Sequence, residues 1–181
     1  MRFYYWEFLA VVLSLSFTFL IGTGWVYAFP FAIIASVIYV GLCLQKKIYA
    51  ESFLHLFYFF TGIYGWLTWH NNTADGFQST LPIEAHLIAI PSLFLLTYLS
   101  GRLLQKYTDA RAKYIDSFTT IFSVWATYLM VNVYLENWWY FIFINGVAVY
   151  LYASRKMYLT SVLMVVYVVL SIKGYWEWTI M

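Results

Sequence analysis

Seven apolar segments, at residues 4–22, 26–45, 48–69, 84–101, 114–132, 136–154 and 157–178, take up almost the whole chain and are joined by connections as short as LQKKIY and QKYTDARAKY. Each is close to the roughly 20 residues that a helix needs to cross a bilayer. Inside hydrocarbon the backbone must satisfy its own polar groups, which leaves helices and closed barrels. The alternation of apolar and polar residues that marks a barrel strand is absent. With 64% apolar and 10% charged residues in 181 positions, the chain is not a soluble globular domain, where about a quarter of the residues are charged. No length remains for an extramembrane catalytic domain. The expected fold is an all-α membrane protein of seven transmembrane helices, with the lipid bilayer as its surroundings and no nucleic-acid partner. The first segment follows Met1 and Arg2 and lacks a small-residue cleavage site in GTGWVYAFP, so it reads as a retained span and not a signal peptide.

An offset of 109 residues superposes the first three segments on the last three without a gap. Lys47 falls on Lys156, Tyr49 on Tyr158, Ser52 on Ser161, Tyr58 on Tyr167, Gly65 on Gly174 and Trp69 on Trp178; upstream, Glu7 falls on Asp116, Ser14 on Ser123 and Thr18 on Thr127. Three crossings would invert the second unit, and the fourth helix restores its side. The plan is 3+1+3: a first three-helix repeat at 1–72, a linker helix at 82–103 and a second repeat at 111–181. Parallel repeats about an axis along the membrane normal, with a substrate between them near the midplane, are a recurrent transporter design. Nine of the ten Lys and Arg residues fall on one side of such an arrangement, Lys173 being the other. The positive-inside rule makes that side cytoplasmic, with the N-terminus inside and the C-terminus outside.

On the fifth helix Asp116, Thr119, Thr120, Ser123 and Thr127 form one polar stripe. Such hydroxyls line a cavity, or they bond to their own helix and glue neighbours together. Asp116 and its mate Glu7 lie near helix starts, where a carboxylate can meet the interface, a positive helix end or a substrate. On the sixth helix Trp138, Phe141, Ile142 and Asn145 share a face. An Asn amide in lipid is costly unless paired or wet, which turns Asn145 inward. Trp138 and Trp139 are adjacent, so both cannot serve an interfacial belt equally well and one of them turns inward. On the third helix His55, Tyr58 and Gly62 share a stripe with Trp66 beyond it, and Tyr39 of the second helix joins the candidates. A lone His on an apolar helix is more often structural than a proton carrier, and no acidic residue at matching depth stands out.

Aromatic residues are 24% of the chain, more than lipid-facing surfaces need. Ring faces attract cations, and Asn, Thr and Tyr read hydroxyl and amide groups without a full buried charge. The set suits a flat, singly positive, hydroxyl-bearing small molecule better than a phosphate, which calls for convergent Arg or Lys. The single Cys43 excludes an internal disulfide, and neither a metal site nor a cofactor is expected. No H-E-x-x-H motif and no intramembrane Asp pair supports an enzyme, and no Walker A motif supports ATP-driven work. A retinal-binding lysine could only be Lys173, five residues before Trp178 and near the membrane boundary.

GIYGWLTW at the end of the third helix resembles the YGWxxW motif of the PnuC family of bacterial vitamin transporters. The run DSFTTIFSVWATYLMVNVYLENWWYFIFINGVAVYLY, with MYLT and the closing GYWEW, resembles that family's second repeat. The resemblance covers most of the chain. It implies two parallel three-helix bundles bridged by a central helix, as in the sugar-transporting SWEET proteins. It implies facilitated diffusion of a water-soluble vitamin across the bacterial inner membrane, made directional when a cytoplasmic vitamin kinase phosphorylates the cargo. Members take up nicotinamide riboside, thiamine or riboflavin, and the nicotinamide riboside type forms a homotrimer. By its pattern Trp138, Trp139 and Asn145 are the best-matched site residues, with Trp66 and the Thr119 to Ser123 stripe beside them. Nicotinamide riboside and thiamine are both aromatic cations, whereas riboflavin is neutral and larger. Nicotinamide riboside is the expected cargo, thiamine the alternative and a sugar the distant one. The resemblance implies a cytoplasmic C-terminus, opposite to the charge bias.

Overall fold

The computed structural model describes residues 2–22, 26–68, 80–131 and 134–180. Its helices are α1 (Arg2–Gly22), α2 (Phe29–Lys46), α3 (Tyr49–Thr68), α4 (Ile83–Tyr107), α5 (Lys113–Val131), α6 (Asn137–Ser154) and α7 (Tyr158–Ile180), with a short 3-10 turn at Val26–Ala28. The seven helices match the seven apolar segments. Trp69 of the repeat alignment lies outside the described residues.

Within each repeat the middle helix packs on both others, α2 on α1 and α3, α6 on α5 and α7. Across the repeats α3 packs on α5 and α1 on α7. These contacts close a ring of six helices about the axis between the repeats. The linker α4 packs on α5 from outside the ring, where Gly101 lets the Tyr114 ring lie directly on its backbone. Helix α4 runs past the expected limit of 103 to Tyr107: Arg102 donates to the Tyr98 hydroxyl at 3.2 Å, and the Thr108 hydroxyl closes on the Leu104 carbonyl at 2.6 Å. Its basic last turn also complements the negative end of the helix.

The α1, α2, α4 and α7 spans are long and apolar enough to cross a membrane on composition alone. Helices α3 and α5 carry the buried Glu51, Ser52, Asp116, Ser117, Thr119, Thr120, Ser123 and Thr127. They carry these groups on the face turned to the repeat interface, while Phe53, Phe60, Tyr64 and Tyr128 stay exposed on the other face.

The 109-residue repeat is a repeat of geometry as well as of sequence. Lys47 and Lys156 both take the left-handed conformation at φ 60°. Each is followed by an amide that bonds back to the end of the preceding helix, Ile48 to the Cys43 carbonyl at 3.1 Å and Met157 to that of Tyr152 at 3.0 Å. This six-to-one bond is the Schellman closure, which buries the apolar residue just past it; Ile48 and Met157 are fully buried. Ser52 donates to the Val40 carbonyl at 3.1 Å and Ser161 to the Val149 carbonyl at 2.9 Å. Gly65 sits under the Phe29 ring and Gly174 under the Trp138 indole, and a Cβ at either glycine would overlap the ring.

Two carboxylates tie the repeats to each other. Both Asp116 oxygens accept backbone amides at the start of α3, from Ala50 at 3.0 Å and Glu51 at 2.8 Å. Glu7 answers from α1: one oxygen accepts the Thr160 amide and the Thr160 hydroxyl at the start of α7, each at 3.0 Å. The first amides of a helix have no partner within it, and each repeat thus supplies the carboxylate that the other's third helix lacks. Glu7 and Asp116 are fully buried.

The cationic connections gather at this same end. Lys47 pairs with Asp109, which also accepts the Tyr49 hydroxyl; Arg111 donates its amide to the Lys47 carbonyl at 3.3 Å, and Lys46 lies 4.0 Å over the Phe3 ring. Lys47 and Tyr49 hold the Asp109 carboxyl below its ordinary value. This tie is present above the ordinary carboxylate range and is lost as pH falls through the depressed value, and salt screens it because it is exposed.

Asp116→Ala should cost roughly 2–4 kcal/mol, because it orphans two buried amides, and Asp116→Asn, which keeps one acceptor, should cost less. Chemical unfolding of the detergent-solubilised protein measures both; equal stability of Asp116→Ala and the parent would contradict the cross-repeat cap.

Candidate substrate site on the repeat axis

Helix α5 presents its stripe as the periodicity requires: Asp116, Thr119, Thr120, Ser123 and Thr127 are all buried. Several hydroxyls bond to their own helix, Thr119 to the Ile115 and Asp116 carbonyls at 3.1 Å each and Thr127 to the Ser123 carbonyl at 2.8 Å. Such bonds use up the proton and leave oxygen lone pairs for a neighbour. Ser123 and Thr127 face the Tyr58 hydroxyl across the α3–α5 contact. Their mates do the same across α1–α7, where Thr18 lies 3.4 Å from the Tyr167 hydroxyl and Ser14 faces it too. The interface between the repeats is therefore lined at one level by two tyrosines and four small hydroxyl side chains related by the repeat. Thr120 departs from the stripe and lines a groove of about 720 Å³ between α3, α4 and α5, together with Phe53, Leu93, Leu96, Val124 and Trp125. That groove is outside the ring and apolar.

Nearer the basic end a second polar group spans the ring. The Tyr152 hydroxyl of α6 donates to Glu51 Oε2 at 2.8 Å. His55 Nε2 lies 3.3 Å from the same hydroxyl oxygen. The single Tyr152 proton goes to the carboxylate, so His55 is the donor in its bond, with the proton on Nε2. The His55 ring stacks on Tyr39 of α2, centroids 4.6 Å apart and planes at 13°, and meets Tyr58 edge-on at 6.0 Å. His55, Tyr39 and Tyr58 are thus brought together, as three of the sequence candidates. Glu51 and Tyr152 were missed. The i, i+4 spacing of Glu51 and His55 on one helix face was the available signal, whereas Tyr152, 101 residues from Glu51, could be joined to them only by the fold.

The residues of α6 disperse over its two neighbours. Trp138 covers Gly174 of α7. Phe141 packs with Leu93, Phe122, Ala126 and Ile144 of the α4–α5–α6 cluster. Trp139 is 55% exposed, its ring 4.7 Å from Tyr175, and Asn145 is half-buried in the middle of the helix. Trp66, near the other end of α3, is 41% exposed. At the start of α6, Glu136 accepts the Leu81 amide at 3.1 Å and Tyr140 meets His86 Nδ1 at 2.9 Å, which fixes the beginning of α4.

Among the described residues no three His, Cys, Asp or Glu side chains are placed to hold a metal ion. Arg155, past the end of α6, has its pKa lowered by burial and by neighbouring Arg111, and its charge faces Asp116.

The family model of the nicotinamide mononucleotide transporters matches residues 4–180. The nicotinamide riboside transporter PnuC of Escherichia coli (strain K12) is 22% identical over 176 residues, covering 82% of this chain and 74% of its own length, and that of Shigella flexneri matches to the same extent. A crystal structure of the vitamin B3 transporter PnuC superposes with a TM-score of 0.77 at 22% identity, over 97% of this chain and 80% of the other. With the model matching nearly end to end and the fold shared, the chain belongs to the nicotinamide mononucleotide transporter family, in which the PnuC proteins fall.

Proposed function

We propose that this protein is a uniporter for nicotinamide riboside, which binds on the axis between the two repeats and is exposed to either side as the repeats rock against each other. The observation that carries this is the interface itself: an apolar cluster joins the repeats near Ile48 and Met157, and further along the α3–α5 and α1–α7 contacts are lined by hydroxyls and tyrosine rings related by the repeat. Tyr58, Tyr167, Ser14, Thr18, Ser123 and Thr127 offer hydrogen bonds to a ribosyl group, and stacked rings suit a pyridinium. Trp138, Trp139, Phe141 and Asn145 of α6 belong to the same proposed site by their match to the family motif, with Trp66 beside them. Thiamine, also an aromatic cation, is the alternative cargo. The basic end at Lys46, Lys47, Arg111 and Arg155 is the cytoplasmic one in this reading, which puts the N-terminus inside a bacterial inner membrane. A homotrimer and trapping of the vitamin by a cytoplasmic kinase rest on the family resemblance alone.

Purified protein in liposomes should equilibrate labelled nicotinamide riboside with neither ATP nor an ion gradient. Transport of neither nicotinamide riboside nor thiamine by folded protein would overturn the reading. Trp138→Phe places on Gly174 the same ring that Phe29 places on Gly65, and so should preserve stability. Together with Asn145→Ala it tests α6, with an expected loss of about tenfold or more in affinity for each, read by titration calorimetry. Unchanged affinity in both would remove α6 from the site.

A further inference from the structure

The two repeats provide an internal control, because a buried polar group that the fold needs recurs at the 109-residue offset. The caps of Glu7 and Asp116, the serine-to-carbonyl bonds of Ser52 and Ser161, the left-handed Lys47 and Lys156 and the ring-covered Gly65 and Gly174 all recur. The group around Glu51 does not. Glu51 corresponds to Thr160, His55 to Met164, Tyr39 to Ala148, Tyr152 to Cys43 and Thr119 to Ala10. All five positions are polar or aromatic on one side of the pseudosymmetry and small, apolar or uncharged on the other. The second repeat builds the same backbone without them, so the fold does not require them.

The group is also polarised in one direction. The Thr119 hydroxyl lies beside the Glu51 carboxylate with its proton on the Ile115 and Asp116 carbonyls, so the donors are His55, which donates to Tyr152, and Tyr152, which donates to Glu51 at 2.8 Å. These donors stabilise negative charge on a side chain that is only 4% exposed. A buried carboxylate is expensive unless a cation or a full set of donors answers it. Among the described residues no Lys or Arg forms an ion pair with Glu51, and Arg155 faces Asp116. Asp116 itself is occupied, both oxygens being held by the α3 amides. The described residues thus hold no positive partner for Glu51, and one turn along α3 from it the His55 ring stacks on Tyr39 and meets the same Tyr152 hydroxyl.

We propose that Glu51, presented by Tyr152 beside the Tyr39–His55 stack, recognises the positive charge of the transported molecule and makes the protein selective for organic cations over neutral molecules of the same shape. This rests on the transport reading above and adds to it the residue that sets charge preference.

The test compares nicotinamide riboside with its 1,4-dihydro form, which has nearly the same outline and no ring charge, in binding and liposome uptake. The parent protein should favour the cation. Glu51→Gln keeps size and hydrogen bonding and should weaken the cation by at least about tenfold while leaving the neutral form within about twofold. Tyr152→Phe leaves the carboxylate in place and should lower the same ratio by a smaller factor, which keeps the assignment testable if Glu51→Gln does not fold. An unchanged cation-to-neutral ratio in both variants, or an equal loss of both ligands in folded protein, overturns the role of Glu51. Failure of the parent to bind nicotinamide riboside or thiamine overturns the transport reading, and this assignment with it.

Discussion

A helix that begins inside a bilayer-embedded bundle brings amides that neither water nor lipid can satisfy, and this structure answers them with carboxylates from the opposite repeat. Asp116 holds the start of α3 and Glu7 the start of α7. Both carboxylates lie at the basic end, and the bonds of both cross the axis. The two bundles are therefore joined at one end by a few directional bonds and by the apolar cluster around Ile48, Leu151 and Met157, and further along by hydroxyl and ring contacts.

The pseudosymmetry separates what the backbone needs from what it does not. The backbone devices are present twice: the Schellman closures at Ile48 and Met157, the ring seats at Gly65 and Gly174, the crossing carboxylates. Features present once have no counterpart that the fold misses. Glu51, His55, Tyr39, Tyr152 and Thr119 fall in the second class and touch one another across α2, α3, α5 and α6. A membrane interior tolerates polar groups of this kind only where they are paired or where they serve a ligand path.

The seven spans were legible because a bilayer fixes helix length, and the repeat was legible because Ser52, Gly65, Tyr58 and Glu7 keep their chemistry at a constant offset. The ring was not. Which helices of the two repeats touch depends on contacts between residues such as Glu7 and Thr160, 153 positions apart, and no local pattern carries that. Trp138, Phe141 and Asn145 share a helix face by spacing, yet α6 sits between two neighbours, so Trp138 goes to Gly174 on α7 and Phe141 to the Phe122 cluster. Glu51 was passed over for a related reason: a carboxylate two residues into a helix looks interfacial until Tyr152 is brought over it.

A structure determined with nicotinamide riboside bound bears most directly on the central claim, that cargo sits inside the six-helix ring. The account predicts ligand density enclosed by α1, α3, α5 and α7, with the ring nitrogen end turned toward Glu51 and the ribosyl hydroxyls toward Ser123, Thr127 or their mates. Density in the apolar groove between α3, α4 and α5, or elsewhere outside the ring, would contradict it.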